Sequence, residues 1–176
     1  QLMYDCKAPV SVEYFSMCNR LVSRNVFERN VILPFEGVNM WDDVGLCTRV
    51  RFYTRGTAVI NKGFYHYNRQ NEQSTTRRPL LERAREQELC ISCIEDFFRK
   101  EDSHDKYRLF LSYLRLVAAE DLFYYEPDIW RHKFEELKDD LWKLRKLYTT
   151  KQLFKFYMLG CGGIIGKLVW KRFWKR

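Results

Sequence analysis

Asp42 and Asp43 stand side by side directly after Trp41, and about twenty residues on the chain runs Phe64-Tyr65-His66-Tyr67-Asn68-Arg69. Two adjacent carboxylates with an aromatic, hydrogen-bonding segment close behind make a candidate acid–base site with a wall. The turn before them is legible: Gly37 tolerates positive φ and Asn39 readily closes on its own backbone, so residues 36–39 reverse the chain. Val44, Cys47, Val50 and Phe52 or Tyr53 then recur every three to four residues, which predicts a helix over residues 41–53. Asp42 and Asp43 fall in its first turn, where the macrodipole and unpaired backbone N–H groups favour negative charge. That placement supports two readings, an N-terminal cap and a base that accepts a proton from a hydroxyl.

The wider pattern separates them. A basic Asn19-Arg20-Leu21 step leads to Phe35-Glu36-Gly37-Val38-Asn39-Met40, then the acidic pair opening a helix, a short strand at Ala58-Val59-Ile60, the Tyr65-His66-Tyr67-Asn68-Arg69 segment and Ser74. This order resembles the second half of the catalytic domain of family 2 glycosyltransferases, bacterial enzymes that build capsular and other surface polysaccharides. The resemblance covers roughly residues 9–77. The family pattern is Gly-Glu-Asp, helix, strand, Tyr-x-Tyr-Arg, Ser. Here Trp41 replaces the glycine, and Asp42 is one methylene shorter than the family's first acid. The resemblance implies that Asp43 is the general base for an acceptor sugar hydroxyl and that Asp42 orients it or touches the acceptor. It also implies that Trp41 stacks on a sugar ring, while His66, Tyr67 and Arg69 lie near the donor diphosphate or the acceptor. Of these, His66 between two tyrosines also reads as a structural hydrogen-bonder.

The other half of that family's domain binds the nucleotide sugar and ends in an Asp-x-Asp that holds a divalent metal, Mg or Mn. No Asp-x-Asp occurs in this sequence, the chain opens on Gln1, and no run of alternating βα units precedes residue 33. The expectation is a C-terminal, acceptor-side piece of a longer enzyme, inactive alone, with no metal of its own. The expected fold is α+β and mostly helical: the end of a GT-A-like α/β domain over residues 1–77, a helical extension over 78–150, and a basic tail over 151–176. The competing class is a non-enzymatic helical module that binds a membrane and a partner, with the Asp pair serving only as a cap.

With 176 residues, 46% of them hydrophobic and 16% aromatic, the chain can bury a substantial core and is not disordered. Six cysteines at irregular spacings, without a secretory signal, suit a reducing cytoplasm better than a disulfide framework. Cys90 and Cys93 form a Cys-x-x-Cys, but no second pair exists and both fall within an amphipathic helical pattern, so they read as helix-core thiols.

From Pro79 the period is helical throughout. Leu81, Ala84, Ile91, Ile94, Phe97 and Phe98 form one stripe, and Tyr107, Phe110, Leu111, Leu114 and Val117 a second. Trp130, Phe134, Leu137, Leu141, Leu144 and Tyr148 form a third at alternating four and three spacing, opened by Pro127. Upstream, residues 12–23 read as a helix and residues 68–78 as a polar loop.

Residues 151–176 carry five Lys, two Arg and no acid, seven of the eight net positive charges. The basic residues are not interleaved along a groove-sized face and no nucleic-acid motif appears, so nucleic acid is not the expected partner. Interleaved with Lys155, Lys167, Trp170, Lys171, Arg172 and Trp174, the apolar residues of this tail suit an anionic membrane surface. There tryptophans sit at headgroup depth and lysines reach phosphates. The competing reading is a buried final helix. The uncharged run over 156–166 is too short for a bilayer core of about 30 Å. The expected place is therefore the cytoplasm, peripheral at the inner face of the plasma membrane.

Overall fold

A computed structural model describes residues 15–18, 20–60, 62–66, 78–161 and 168. These divide into two compact units, one within Ser11–Phe97 and one within Phe98–Arg176.

In the first unit, residues 15–18 and 20–23 are not helical, which corrects the helix expected over 12–23. Ser16 holds the chain in local turns instead: its Oγ accepts from the Cys18 N–H at 3.2 Å and its carbonyl from Arg20 Nε at 2.6 Å. Such short-range side-chain and carbonyl bonds compete with helical ones. Helix α1, Arg24–Asn30, follows and stops where Val31 turns left-handed at φ 49°, with the Ile32 N–H closing on the Phe27 carbonyl at 3.1 Å. The turn then forms as the sequence predicts: Gly37 takes φ 74° and the Val38 N–H donates to the Phe35 carbonyl at 3.3 Å. Helix α2 runs Asp42–Tyr53 and buries Val44, Cys47 and Val50. Helix α3, Leu80–Lys100, begins directly after Pro79, whose carbonyl accepts from the Arg83 N–H at 3.2 Å. Ala84, Cys90, Ile91 and Ile94 are buried on it, whereas Leu81, expected in the stripe, stays 47% exposed.

All regular structure among the described residues is helical. The α+β, GT-A-like expectation is overturned, and with it the strand at Ala58-Val59-Ile60. Residues 55–60 and 62–66 are exposed and without regular structure, Val59 and Ile60 included. A short β-branched run becomes a strand only against a partner edge, and none lies beside it among the described residues.

In the second unit, α4 (His104–Tyr125) and α5 (Pro127–Lys143) fold back on each other around Glu126. Phe98, Phe110, Leu111, Leu114, Trp130, Phe134, Leu141 and Leu144 make a core that water does not reach. The buried carboxylate of Asp140 ties the pair. It accepts from Ser112 Oγ at 2.6 Å, from both Arg108 amines at 3.2 and 3.3 Å, and from Lys143 at 3.0 Å. Desolvation would raise its pKa, but these donors outweigh burial and hold it below the usual carboxylate range.

A 3-10 turn, Arg145–Leu147, leads to α6, Thr150–Cys161. Thr149 and Gln152 form a reciprocal capping box: Thr149 Oγ1 accepts from the Gln152 N–H at 3.2 Å, and Gln152 Oε1 from the Thr149 N–H at 2.9 Å. Phe156, 2% exposed, lies against Trp130 and Tyr148, and Tyr157 meets the Phe134 ring edge-on at 5.4 Å. The start of the basic tail is thus a core helix. Lys155 is half-buried on it, while Lys167, Trp170, Lys171, Arg172 and Trp174 lie outside the described residues. No helix among the described residues is long and apolar enough to cross a membrane.

Candidate functional site

The acidic pair sits where the spacing put it, in the first turn of α2. The residue before it is strained: Trp41 takes φ 73°, ψ 19°, a left-handed conformation that glycine enters freely and a tryptophan does not. Position 41 is the one at which the resembling pattern carries glycine. The Trp41 carbonyl accepts from the Gly45 N–H at 3.1 Å and from the Cys90 thiol at 3.2 Å, so the helix start is fastened from two sides.

A further clamp comes from α3. Glu86 Oε2 accepts from the Met40 N–H at 2.7 Å and the Asn39 N–H at 3.2 Å, while its Oε1 pairs with Arg78 at 2.7 Å. Desolvation pushes the Glu86 carboxyl up, but the Met40 amide and Arg78 more than offset it and hold its pKa low. The two backbone N–H groups entering the Trp41 turn are thereby satisfied by a fixed negative charge. Behind the pair, Phe35 lies so close over Gly45 that a Cβ there would come within 2.8 Å of its ring. The Arg49 guanidinium stacks on the same ring at 3.8 Å, with Arg49 Nε donating to the Gly45 carbonyl at 3.1 Å.

The two carboxylates differ in environment. Asp42 is exposed and Asp43 half-buried. Desolvation, joined by repulsion from Asp42, raises the Asp43 pKa above the ordinary carboxylate value, against a hydrogen bond from the Met17 backbone and the charge of Arg20. Asp43 is therefore more basic than an ordinary carboxylate, and this is the direction a carboxylate needs to serve as a proton acceptor. The cap reading fits less well: the N-cap position is Trp41, which makes no side-chain capping bond, and both acids lie inside the first turn.

His66 lies in the exposed 62–66 stretch, and Tyr67 and Arg69 lie outside the described residues. Sequence reasoning missed Glu86, whose clamp spans 46 residues from Met40 and leaves no local pattern. It also assigned no role to Arg20, although that residue stood inside the quoted Asn19-Arg20-Leu21 step.

Cys90 is a core thiol of α3, and Cys93 is half-buried. Burial, with Cys93 adding to it, pushes the Cys90 thiol up to about 12, and burial also raises Cys93. Cys47 is pushed up to about 11 by the same desolvation. Among the described residues no three His, Cys, Asp or Glu side chains converge as a metal site.

No protein-family model, curated protein or solved structure matches this chain.

Proposed function

We propose that the chain is the acceptor-side part of a family 2 glycosyltransferase, in which Asp43 is the general base. Its carboxylate takes the proton as the acceptor hydroxyl oxygen bonds to the anomeric carbon of a nucleotide sugar. The bond from that carbon to the nucleoside diphosphate breaks, and the configuration inverts. The donor sugar nucleotide, and any divalent metal on its diphosphate, belong to the donor-binding half that the resemblance implies. The observation that carries the reading is the contrast within the acidic pair. One carboxylate is exposed, and its neighbour is half-buried, made more basic, and held at a strained, clamped helix start. In this reading Asp42 steers Asp43 or the acceptor, Trp41 offers a ring face, and residues beyond 161 hold the enzyme at the anionic inner face of the plasma membrane.

The experiment is Asp43→Asn in the enzyme complete with its donor half. The amide keeps the shape but cannot take the proton, so transfer falls by about 10²- to 10⁴-fold, with Asp42→Asn milder. Undiminished transfer by Asp43→Asn sinks the assignment. A second reading, a helical interaction module, draws support from the exposed Val59, Ile60 and Phe64 of the irregular segment. It is favoured if the parent chain, complete with any donor half, transfers no sugar.

A further inference from the structure

Arg49 is a cation buried without an anion. It lies on α2 among the buried Val44, Cys47 and Val50, and only 8% of it is exposed. Two contacts fix it: its guanidinium stacks on the Phe35 ring at 3.8 Å, and its Nε donates to the Gly45 carbonyl at 3.1 Å. Its Nη2 is shut from water and has no hydrogen-bond partner among the described residues. The groups whose charge acts on it are Cys90, Cys93 and Tyr53, two thiols and a phenol, and none of them is a carboxylate. Desolvation prevails over them and pushes the guanidinium below its ordinary pKa, although arginine stays protonated. Asp140, also buried, is answered by Arg108 and Lys143. Arg49 has no such counterion among the described residues, and an uncompensated buried charge is strongly unfavourable.

A guanidinium whose Nη2 is unused offers N–H donors to the oxygens of a carboxylate or a phosphate. The surroundings decide between these. Phe35 covers one face of the guanidinium. Tyr53, one turn along α2, meets Phe52 at 5.0 Å and Phe97 at 5.9 Å, and all three rings are half-buried. One guanidinium among rings and thiols neutralises one negative charge. Phosphate, mostly doubly charged at pH 7, would bring a second charge against apolar walls. A carboxylate brings one, and an apolar body behind it gains by lying on the rings. Tyr53 and Cys93 are half-buried, so they connect the guanidinium to the surface.

We propose that Arg49 is the receptor for a monoanionic carboxylate with an apolar body, an aliphatic or aromatic organic acid that enters beside Tyr53 and Cys93 and pairs with Nη2. This site does not rest on the assignment of Asp43.

Cys93 makes the site readable in the parent chain. The full chain is alkylated with neutral iodoacetamide in the presence of sodium hexanoate, benzoate, acetate or phosphate at matched ionic strength. Peptide mass spectrometry separates the rate at Cys93 from that at the exposed Cys18. A site of millimolar Kd is about nine-tenths filled by about 10 mM ligand, so hexanoate or benzoate should slow Cys93 about tenfold and leave Cys18 unchanged. Acetate should bind about tenfold more weakly or worse, since each further buried CH₂ contributes about fourfold. Phosphate should give no protection. Arg49→Met, its fold checked by circular dichroism, should abolish the protection. If that variant does not fold, Arg49→Lys takes its place: it keeps the charge, loses the fork, and should weaken binding about tenfold. Four outcomes each overturn the proposal: a Cys93 rate that hexanoate and benzoate leave unchanged, slowing shared equally by Cys18, protection undiminished in the folded Arg49 variant, or phosphate protecting as well as hexanoate.

Discussion

Asp43 is half-buried and Asp140 buried, and their surroundings push the two carboxyls in opposite directions. Asp140 meets donors on every side and is held ionised. Asp43 is desolvated and crowded by Asp42, so its folded pKa lies above the unfolded value of 3.8. A carboxyl raised in this way stabilises the fold below its unfolded pKa, and that contribution is lost as pH rises through the folded pKa. At pH 7 the ionised Asp43 therefore works against folding, and Asp43→Asn should melt no lower than the parent and even higher. The gap should close near pH 3, where both states of the parent are protonated; paired thermal melts at the two pH values check this. A cap carboxylate predicts the opposite, a variant that melts lower at pH 7. Glu86 belongs to the same scale. Its carboxylate answers the Met40 and Asn39 amides at a turn whose next residue is strained, so Glu86→Gln should cost about 1–3 kcal/mol. It should also depress transfer by loosening the first turn of α2, and a variant with the parental melting temperature would refute the clamp. The turn at Gly37 and the acidic helix start were legible because their signals are local. The Glu86 clamp and the left-handed Trp41 were not, because both arise from contacts between segments far apart in sequence.

At the scale of elements, apolar spacing worked wherever a helix supplies its own hydrogen bonds, and failed where pairing must come from elsewhere. The stripes on α3, α4 and α5 lie where the periodicity placed them, save Leu81 one turn before the first buried residue, Ala84. Ala58-Val59-Ile60 has strand composition, but a strand is a property of two segments and the sequence shows only one. Thr149 and Gln152 carried an unread helix-start signal, the Thr-x-x-Gln spacing of a capping box. The packing of α6 on α5 hinges on Gly160, which is buried against Phe134: a Cβ there would drive into that ring. Gly160→Ala improves helix propensity by about 1 kcal/mol, while overpacking a closed core costs about 1–3 kcal/mol. The ring contact leaves no room to relax, so the packing cost should win and the melting temperature should fall. A variant that melts at or above the parental temperature would show that α6 does not seat on Phe134.

Across the whole molecule, seven of eight net charges fall after residue 150, but the structure divides that stretch into two parts with different work to do. The first, α6, turns two of its aromatic residues to the core, Phe156 closing over Trp130 and Tyr157 meeting Phe134, while Phe154 stays exposed. Its mixture of basic and aromatic residues assigned it to a membrane, because composition cannot distinguish a Phe that faces a bilayer from one that faces Trp130. The basic and aromatic residues beyond position 161 carry the membrane assignment, and two truncations tell the parts apart. Removing residues 162–176 should leave the melting temperature within a few degrees of the parent and abolish co-sedimentation with vesicles containing anionic lipid. Each basic residue near such a surface contributes roughly 1 kcal/mol, and that attraction is screened beyond about 8 Å at physiological salt. Part of the parent's binding should survive high salt, carried by Trp170, Phe173 and Trp174. Removing residues 151–176 also uncovers Trp130 and Phe134, and should lower the melting temperature and cause aggregation. If the shorter truncation still binds anionic vesicles as the parent does, the membrane contact lies elsewhere on the chain. If the longer one melts like the parent, α6 is not part of the core.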